Sequence, residues 1–352
     1  MTKKLTDAQK AKNAAARAKG KKAAGKAAKS GKSKTKALPI VATAEEKLQD
    51  QVDVAEALRE ATVGVRFRRF VFGVERKLNE QQRNVMAAAF DAADRSVKGR
   101  KVLLDTKRKE YRSVVGRVLA AMGYWREVTV PFEDVGVRLI KRDKIEEFEK
   151  RLAVIQKELD SALVDLDAVY ADAREQAKAS LGNLFDEQDY PDSLKKFFGF
   201  SWDYPSIEPA AALKKIAPAI YEAQQKVIAA KFATAVVDAE AMLAAEMHKM
   251  LSGWIDRLTP GVDGKKKVIR KDALEGFKEV LARVKEMAPA GGSSVLAQAV
   301  KQAEQLAAGI DIGKLKNDGI AQSALKEQIE AIGKSIEVLA VDAEERAILL
   351  ED

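Results

Sequence analysis

Few residues in this chain are of types that carry chemistry. It has a single histidine, His248, and no cysteine. Without cysteine there is no disulfide, no thiol nucleophile and no thiolate metal ligand. A histidine relay needs a serine or cysteine and an acid placed around it, and the sequence contains no G-x-S-x-G elbow. A histidine metal site needs further imidazoles or carboxylates at set spacing. His248 instead lies between Ala244 and Leu251 on an apolar helical stripe, and reads as a hydrogen-bonded histidine at a helix interface. Asp186, Glu187, Asp189 and Asp192 crowd together. They could hold a divalent cation, but the glycine and closing glutamate of a Ca²⁺ loop are missing, and capping and solvation of a loop is the simpler reading. The string Gly25 to Ser33 approaches a phosphate-binding P-loop but has one residue too many between its glycines and no strand before it, so it is set aside. No catalytic residue, metal or cofactor is assigned, and the chain is expected not to be an enzyme.

What the sequence does offer is unevenly placed basic charge. The 352 residues carry a net charge of +9, yet residues 1–38 alone hold 13 Lys/Arg against the single acid Asp7. This segment is built of Lys, Ala, Gly and Ser and buries too little to offset its ordering entropy, so it is expected to be a disordered tail. Its Lys19, Lys21, Lys22, Lys26, Lys29, Lys32, Lys34 and Lys36 would neutralise phosphates of DNA or RNA and release counterions; the alternative is a solubilising spacer. Residues 64–126 add 16 Lys/Arg against 6 acids. Arg66, Arg68, Arg69, Lys107, Arg108 and Lys109 are the foremost nucleic-acid candidates there, with Arg76, Lys77, Arg83, Arg95, Lys98, Arg100, Lys101 and Arg112 beside them. Phe67, Phe70, Phe72, Tyr111 and Trp125 are interleaved. Cations with aromatics can hold single strands by phosphate contact and stacking, and the same rings would equally fill a core. Residues 127–352 are acidic, 31 against 40, so the rods described next could dock on the basic segment.

The elements that must position these groups are mostly helical. From Asp143 to about Phe185, Ile145, Phe148, Leu152, Ile155, Leu159, Ala162, Leu166, Val169 and Ala173 alternate steps of 3 and 4, an a/d heptad stripe. The residues named as its interface are Ile145, Phe148, Leu152, Ile155, Leu159, Leu166 and Val169. A second long helix is expected from Pro209 or Pro218 to about Leu258, with Ile216, Ile220, Ala223, Val227, Ala230, Thr234, Val237, Ala241, Ala244, His248, Leu251 and Ile255 as its stripe. Paired, the two form an elongated antiparallel coiled-coil hairpin over 143–258, joined by the aromatic-rich connector 185–211; the alternative is that one or both stripes serve an oligomer. Within the basic segment 39–142, helices are expected at 43–61, 75–97 and from Asp105 to Met122. Strands are expected at 62–72 and 124–130, with 131–142 a linker, and a third strand at 198–204. Three helices near 271–287, 293–308 and 320–340, each bounded by Pro, Gly or Asn, make a C-terminal bundle over 259–352. The fold class is therefore mainly α, with a small sheet and helix base. No run of 18 apolar residues is present, so no membrane partner is expected, and with no apolar leader a cytoplasmic location is expected.

The order of features from Phe72-Gly-Val-Glu-Arg-Lys-Leu78 through Leu104-Asp-Thr-Lys, the strand ending at Pro131, the heptad helix, Tyr190-Pro191, Phe198-Gly-Phe200 and Lys267-Val-Ile-Arg270 resembles an uncharacterised helical family of bacteria and phages. Its members are often encoded beside a MoxR-type AAA+ ATPase and a von Willebrand A-domain protein. The resemblance covers residues 63–340. It implies a partnership with an ATPase assembly or a phage-encoded role, in the second case in the bacterial host cytoplasm. It carries no catalytic residues.

The sequence therefore predicts a helical assembly or adaptor protein working through protein contacts or self-association, with nucleic-acid binding by the tail and residues 66–112 as the alternative. If the stripe is buried, Leu159→Asp strands a charge and strongly lowers the melting temperature; unchanged melting would put Leu159 in solvent.

Overall fold

Strand β1 (Thr62–Phe70) is paired along both edges. In a computed structural model that describes residues 44–260, 267 and 269–350, its first half runs antiparallel to β5 (Val137–Lys141), from Thr62↔Lys141 to Arg66↔Val137. Its second half runs antiparallel to β6 (Gly199–Asp203), from Arg66↔Asp203 to Phe70↔Gly199. The two-residue β4 (Val130–Pro131) completes a sheet of order β4-β5-β1-β6. The basic tail, the eight lysines named in it, the P-loop-like string and residues 261–266 lie outside the described residues.

Side chains alternate across a strand, and here both faces are covered. Val65, Phe67, Ile140 and Phe200 enter a core with α3 (Lys109–Glu127), α4 (Ile145–Ala168) and α5 (Tyr170–Leu181). On the other face Val130, Val137 and Leu139 meet Ala55 and Leu58 of α1 (Ala44–Ala61) and Ile228, Phe232, Ala235 and Ala239 of α7 (Pro218–Leu258). Gly64 lets the chain cross after β6. A Cβ there would stand 2.8 Å from Ile207 Cγ2 and 3.2 Å from the Pro205 carbonyl.

Several expected elements are replaced. Of the expected strand 124–130 only Val130 is in a strand, as the start of β4: α3 continues through Gly123 to Glu127, because Tyr111, Val114, Val118, Ala121 and Trp125 keep one helical stripe buried. A Cβ on Gly123 would touch nothing within 4 Å, so that glycine neither breaks nor packs the helix. The expected linker 131–142 contains β5, the neighbour of β1. The expected helix 75–97 is instead β2 (Glu75–Lys77), α2 (Glu80–Ala89) and a 3₁₀ turn, followed by β3 (Arg100–Val102), which pairs with β2. Asn79 and Gln82 start α2 with a reciprocal capping box. The heptad rod is two helices, since Val169 leaves helical geometry (φ −103°, ψ 2°) and its N–H turns back to Leu166 O in a tightened last turn.

The expected pairing of the two long helices with each other is not what the chain adopts. Phe148, Leu152, Ile155, Leu159 and Leu166 are buried and Ile145 and Val169 partly so, as the stripe requires, but they pack against α3 and the sheet. The two helices flanking a short strand pair are neighbours in sequence and in space. Along α7 the core residues Ile228, Phe232, Ala235 and Ala239 are not the expected Val227, Ala230, Thr234 and Val237. An alanine-rich helix presents more than one stripe of suitable period, and the spacing alone does not choose between them.

The 41-residue α7 then enters a second core. Its Leu243, Met247, Leu251, Trp254 and Leu258 pack with α8 (Lys271–Met287), α9 (Ser294–Gly309), α10 (Ile312–Asn317) and α11 (Gly319–Leu350), and α11 runs along α7. The three expected C-terminal helices are thus present, together with the short α10. Arg283 of α8 ties the two cores, pairing with Glu246 of α7 and with Glu127 of α3. Arg138 is a half-buried cation without a carboxylate partner among the described residues. Its Nε donates to Thr129 Oγ1 at 2.7 Å and its Nη2 to Thr129 O at 2.6 Å, just past the C-terminus of α3, while its guanidinium lies over Trp125. Burial, helped by Arg126, lowers its pKa to about 10, which leaves it charged at neutral pH where a helix C-terminus favours a cation. Gly64→Ala is expected to cost about 1–3 kcal/mol by overpacking, whereas Gly116→Ala, on open helix surface, should stabilise by up to about 1 kcal/mol; urea denaturation of both variants checks the assignment.

Candidate association surface

The first half of α7 is buried on one side only. Arg59 of α1 holds that side by donating to Gln225 Oε1 at 2.9 Å and by pairing with Glu208, and Lys231 pairs with Asp134. The opposite side carries Ile220, Ala223, Val227, Ala230, Thr234 and Val237, all exposed. Their steps are 3, 4, 3, 4 and 3, so this is the expected heptad stripe, but it faces solvent. Ile220, Val227 and Val237 are 54%, 47% and 40% exposed. Ile216 drops out of the stripe. It closes the separate helix α6 (Ala211–Ile216), and Ala217 breaks the helical path (φ −147°, ψ 74°) before Pro218 starts α7. Further along, Ala241, Ala244 and Leu251 of the same stripe are buried. A heptad row drifts by about 20° per heptad around a straight helix, so it starts in solvent and ends in the second core.

The other sequence candidates are distributed differently. On β1, Arg66 donates to Asp203 from Nε at 3.1 Å and Nη2 at 2.5 Å, and Arg68 pairs with the same carboxylate at 3.4 Å. The hydrogen bond from Arg66 holds the Asp203 carboxyl below the usual carboxylate range. Arg69 and, before and in α3, Lys107 and Lys109 are exposed, and Arg108 donates to Gln176 at 3.2 Å. Lys101 is buried; its Nζ lies 2.7 Å from Asp189 Oδ2 and donates to Leu184 O at 2.8 Å. Of the interleaved aromatics, Phe67, Phe72, Tyr111 and Trp125 are core residues, with Phe67 stacked on Trp125 at 5.5 Å and on Phe200 at 5.6 Å. Phe70 is half exposed.

The acidic connector works as a loop. Asp186 accepts from the Gln188 N–H, Glu187 pairs with Arg174 and Asp189 with Lys101. His248 is half-buried on α7 beside buried Ala244 and Leu251. Among the described residues no group of three or more His, Asp or Glu stands close enough to hold a metal ion, and no helix is long and apolar enough to cross a membrane. Where the two cores meet, a cavity of about 350 Å³ has Leu58, Val130 and Leu139 among its apolar lining. Its rim charges pair with one another, Lys144 with Glu147 and Glu286 and Arg283 with Glu127.

Comparison with protein-family models, curated proteins and solved structures gives no match to this chain.

The sequence reading placed the α7 stripe inside a hairpin and kept an oligomer as the alternative; in the single chain the stripe from Ile220 to Val237 is exposed. The signal that could have raised the question is its composition, since Ala223, Ala230 and Thr234 are smaller than the Leu, Ile and Phe of the α4 stripe. The Asp203 clamp has a definite pH signature. A carboxyl held below its unfolded value stabilises the fold above about pH 4 and loses that contribution as pH falls through the folded value. Asp203→Asn should therefore lower the urea midpoint at pH 7 and converge with the parent in acid.

Proposed function

We propose that this chain is a non-enzymatic assembly protein that associates with a second copy of itself through the exposed stripe of α7. The observation that carries this reading is the run of six exposed positions from Ile220 to Val237 at unbroken 3–4 spacing. A stripe of 3.5-residue period stays in contact only with a partner helix of the same period. A second α7 supplies one, in an antiparallel register that pairs Ile220 with Val237, Ala223 with Thr234 and Val227 with Ala230. Each layer joins a larger with a smaller or similar side chain, and the seam is about 27 Å long at 1.5 Å per residue.

The flanking charges favour the same orientation. In a parallel pair Lys226 would face Lys231 of the other copy, two like charges across the seam. In the antiparallel register Lys226 faces Ala233 and Lys231 faces Gln224. Avoidance of like-charge contact sets partner orientation in coiled coils.

Because the stripe is exposed in the single chain, charges on it need not disturb the fold. Ile220→Glu combined with Val227→Glu should turn a dimer in sedimentation equilibrium into a folded monomer with the parent's helical circular dichroism, whose melting temperature no longer rises with protein concentration as the parent's does. The parent dimer should persist in high salt, since its seam is apolar. A parent that sediments as a monomer at every concentration, or a dimer indifferent to the two charges, would overturn the proposal.

A further inference from the structure

The hairpin of β2 and β3 closes over α2 to form a cleft of about 620 Å³ lined by Lys77, Leu78, Arg83, Lys98, Gly99 and Arg100. Four of those six residues are cations and none is an acid. They come from three pieces of chain: Lys77 ends β2, Arg83 sits in the first turns of α2, and Lys98 and Arg100 lead into β3. The Leu78 N–H donates to Gly99 O at 3.0 Å and closes the floor between them. Gly99 has no room for a side chain, because a Cβ would meet Leu78 Cδ1 at 2.6 Å.

This arrangement is electrostatically unfavourable by itself. Lys77 and Arg100 stand directly opposite in the β2–β3 register, and like charges directly opposite across a strand pair destabilise it. Glu75 pairs with Arg100 at 2.9 Å. Among the described residues Lys77, Arg83 and Lys98 have no carboxylate partner. The Nε of Arg83 is buried and makes no hydrogen bond, and an orphaned buried donor is costly. A bound oxyanion would relieve the like-charge repulsion by bridging the exposed cations.

We infer that this cleft is a phosphate site for the backbone of a nucleic acid, separate from the α7 seam. The lining contains no aromatic ring to stack on a base and no side-chain acceptor to read one, so recognition here is of phosphate without sequence. A pocket for a small phosphorylated molecule is typically enclosed and mostly apolar, with a few placed polar groups; here Lys77, Lys98 and Arg100 are exposed along an open mouth. The residues differ from the triplets Arg66 to Arg69 and Lys107 to Lys109 singled out in the sequence, of which the first is partly neutralised by Asp203.

The test uses the full chain, so that the lysines of residues 1–38 contribute equally to every sample. Labelled random single-stranded and duplex DNA are titrated by anisotropy at about 50 and about 200 mM salt, a range over which each phosphate contact is worth about threefold in affinity. Arg83→Gln with Lys98→Gln should weaken binding several-fold at the lower salt and flatten the salt dependence by about two contacts' worth. Lys249→Gln with Lys278→Gln removes the same charge from exposed positions elsewhere and should leave the slope near that of the parent. A cleft variant that binds like the parent, or a control variant that loses as much, would overturn the assignment. Inorganic pyrophosphate is the remaining arm. If it binds the parent and not the cleft variant while DNA binding is unchanged between them, the phosphate belongs to a small molecule and the nucleic-acid assignment fails.

Discussion

Strand β1 is paired over half of each edge, and from Thr62 to Phe67 it lies between two covered faces; most of the first core follows from that. Hydrogen bonds to β5 and β6 occupy its two edges in turn, changing over at Arg66. Its apolar side chains feed the core shared with α3, α4 and α5, and on the far side the sheet rests on α1 and α7. A strand buried on both faces needs a helix layer on each. The long helices are therefore committed to covering the sheet before they can serve one another. That requirement accounts for the burial of the α4 stripe against α3 and for the contact of α7 with the opposite face.

The second consequence concerns α7. It is longer than either core it serves, and a single straight helix cannot present one heptad row to the same side along its whole length. Its row is spent on the C-terminal core at one end and left in solvent at the other. The exposed portion is small-residue and self-complementary, with charges that are compatible with an antiparallel partner. Self-association is the use proposed for that surface, since it requires no further element. The basic cleft on the β2–β3 hairpin is built from another part of the chain, and its repulsive cross-strand pair is a local cost that the hydrophobic core does not explain.

Much of the secondary structure could be read from the residues. The β1 alternation, the start of β6 after Phe198, the apolar row of α4, the Pro218 start of α7 and the three longer C-terminal helices all follow from period and punctuation. Where the reading went astray, a local rule was overruled by packing. Gly123 looks like a helix stop, yet Trp125 continues the buried row and carries α3 past it. Residues 137–141 have no clean alternation because both faces of β5 are buried, so they resemble a linker. The stretch 75–102 is too short in each element for any period to be counted. Of the functional surfaces, the basic character of residues 64–126 was legible, but not which of its cations are neutralised by Asp203, Asp189, Glu75 or Glu158.

By itself the sequence determined that the chain is mainly helical, that basic charge gathers in residues 1–38 and 64–126, and that several helices carry apolar rows. Those properties depend on residues close to one another in the chain, so composition and spacing are sufficient to reveal them. Tertiary structure alone decided which row meets which. It gave α4 to α3, gave α7 to the sheet and to α11, left Ile220 to Val237 uncovered, and brought Lys77, Arg83, Lys98 and Arg100 around one cleft. Period specifies that a face is apolar but not its partner, because many helix pairs satisfy the same period; competition for the two faces of one small sheet makes the choice.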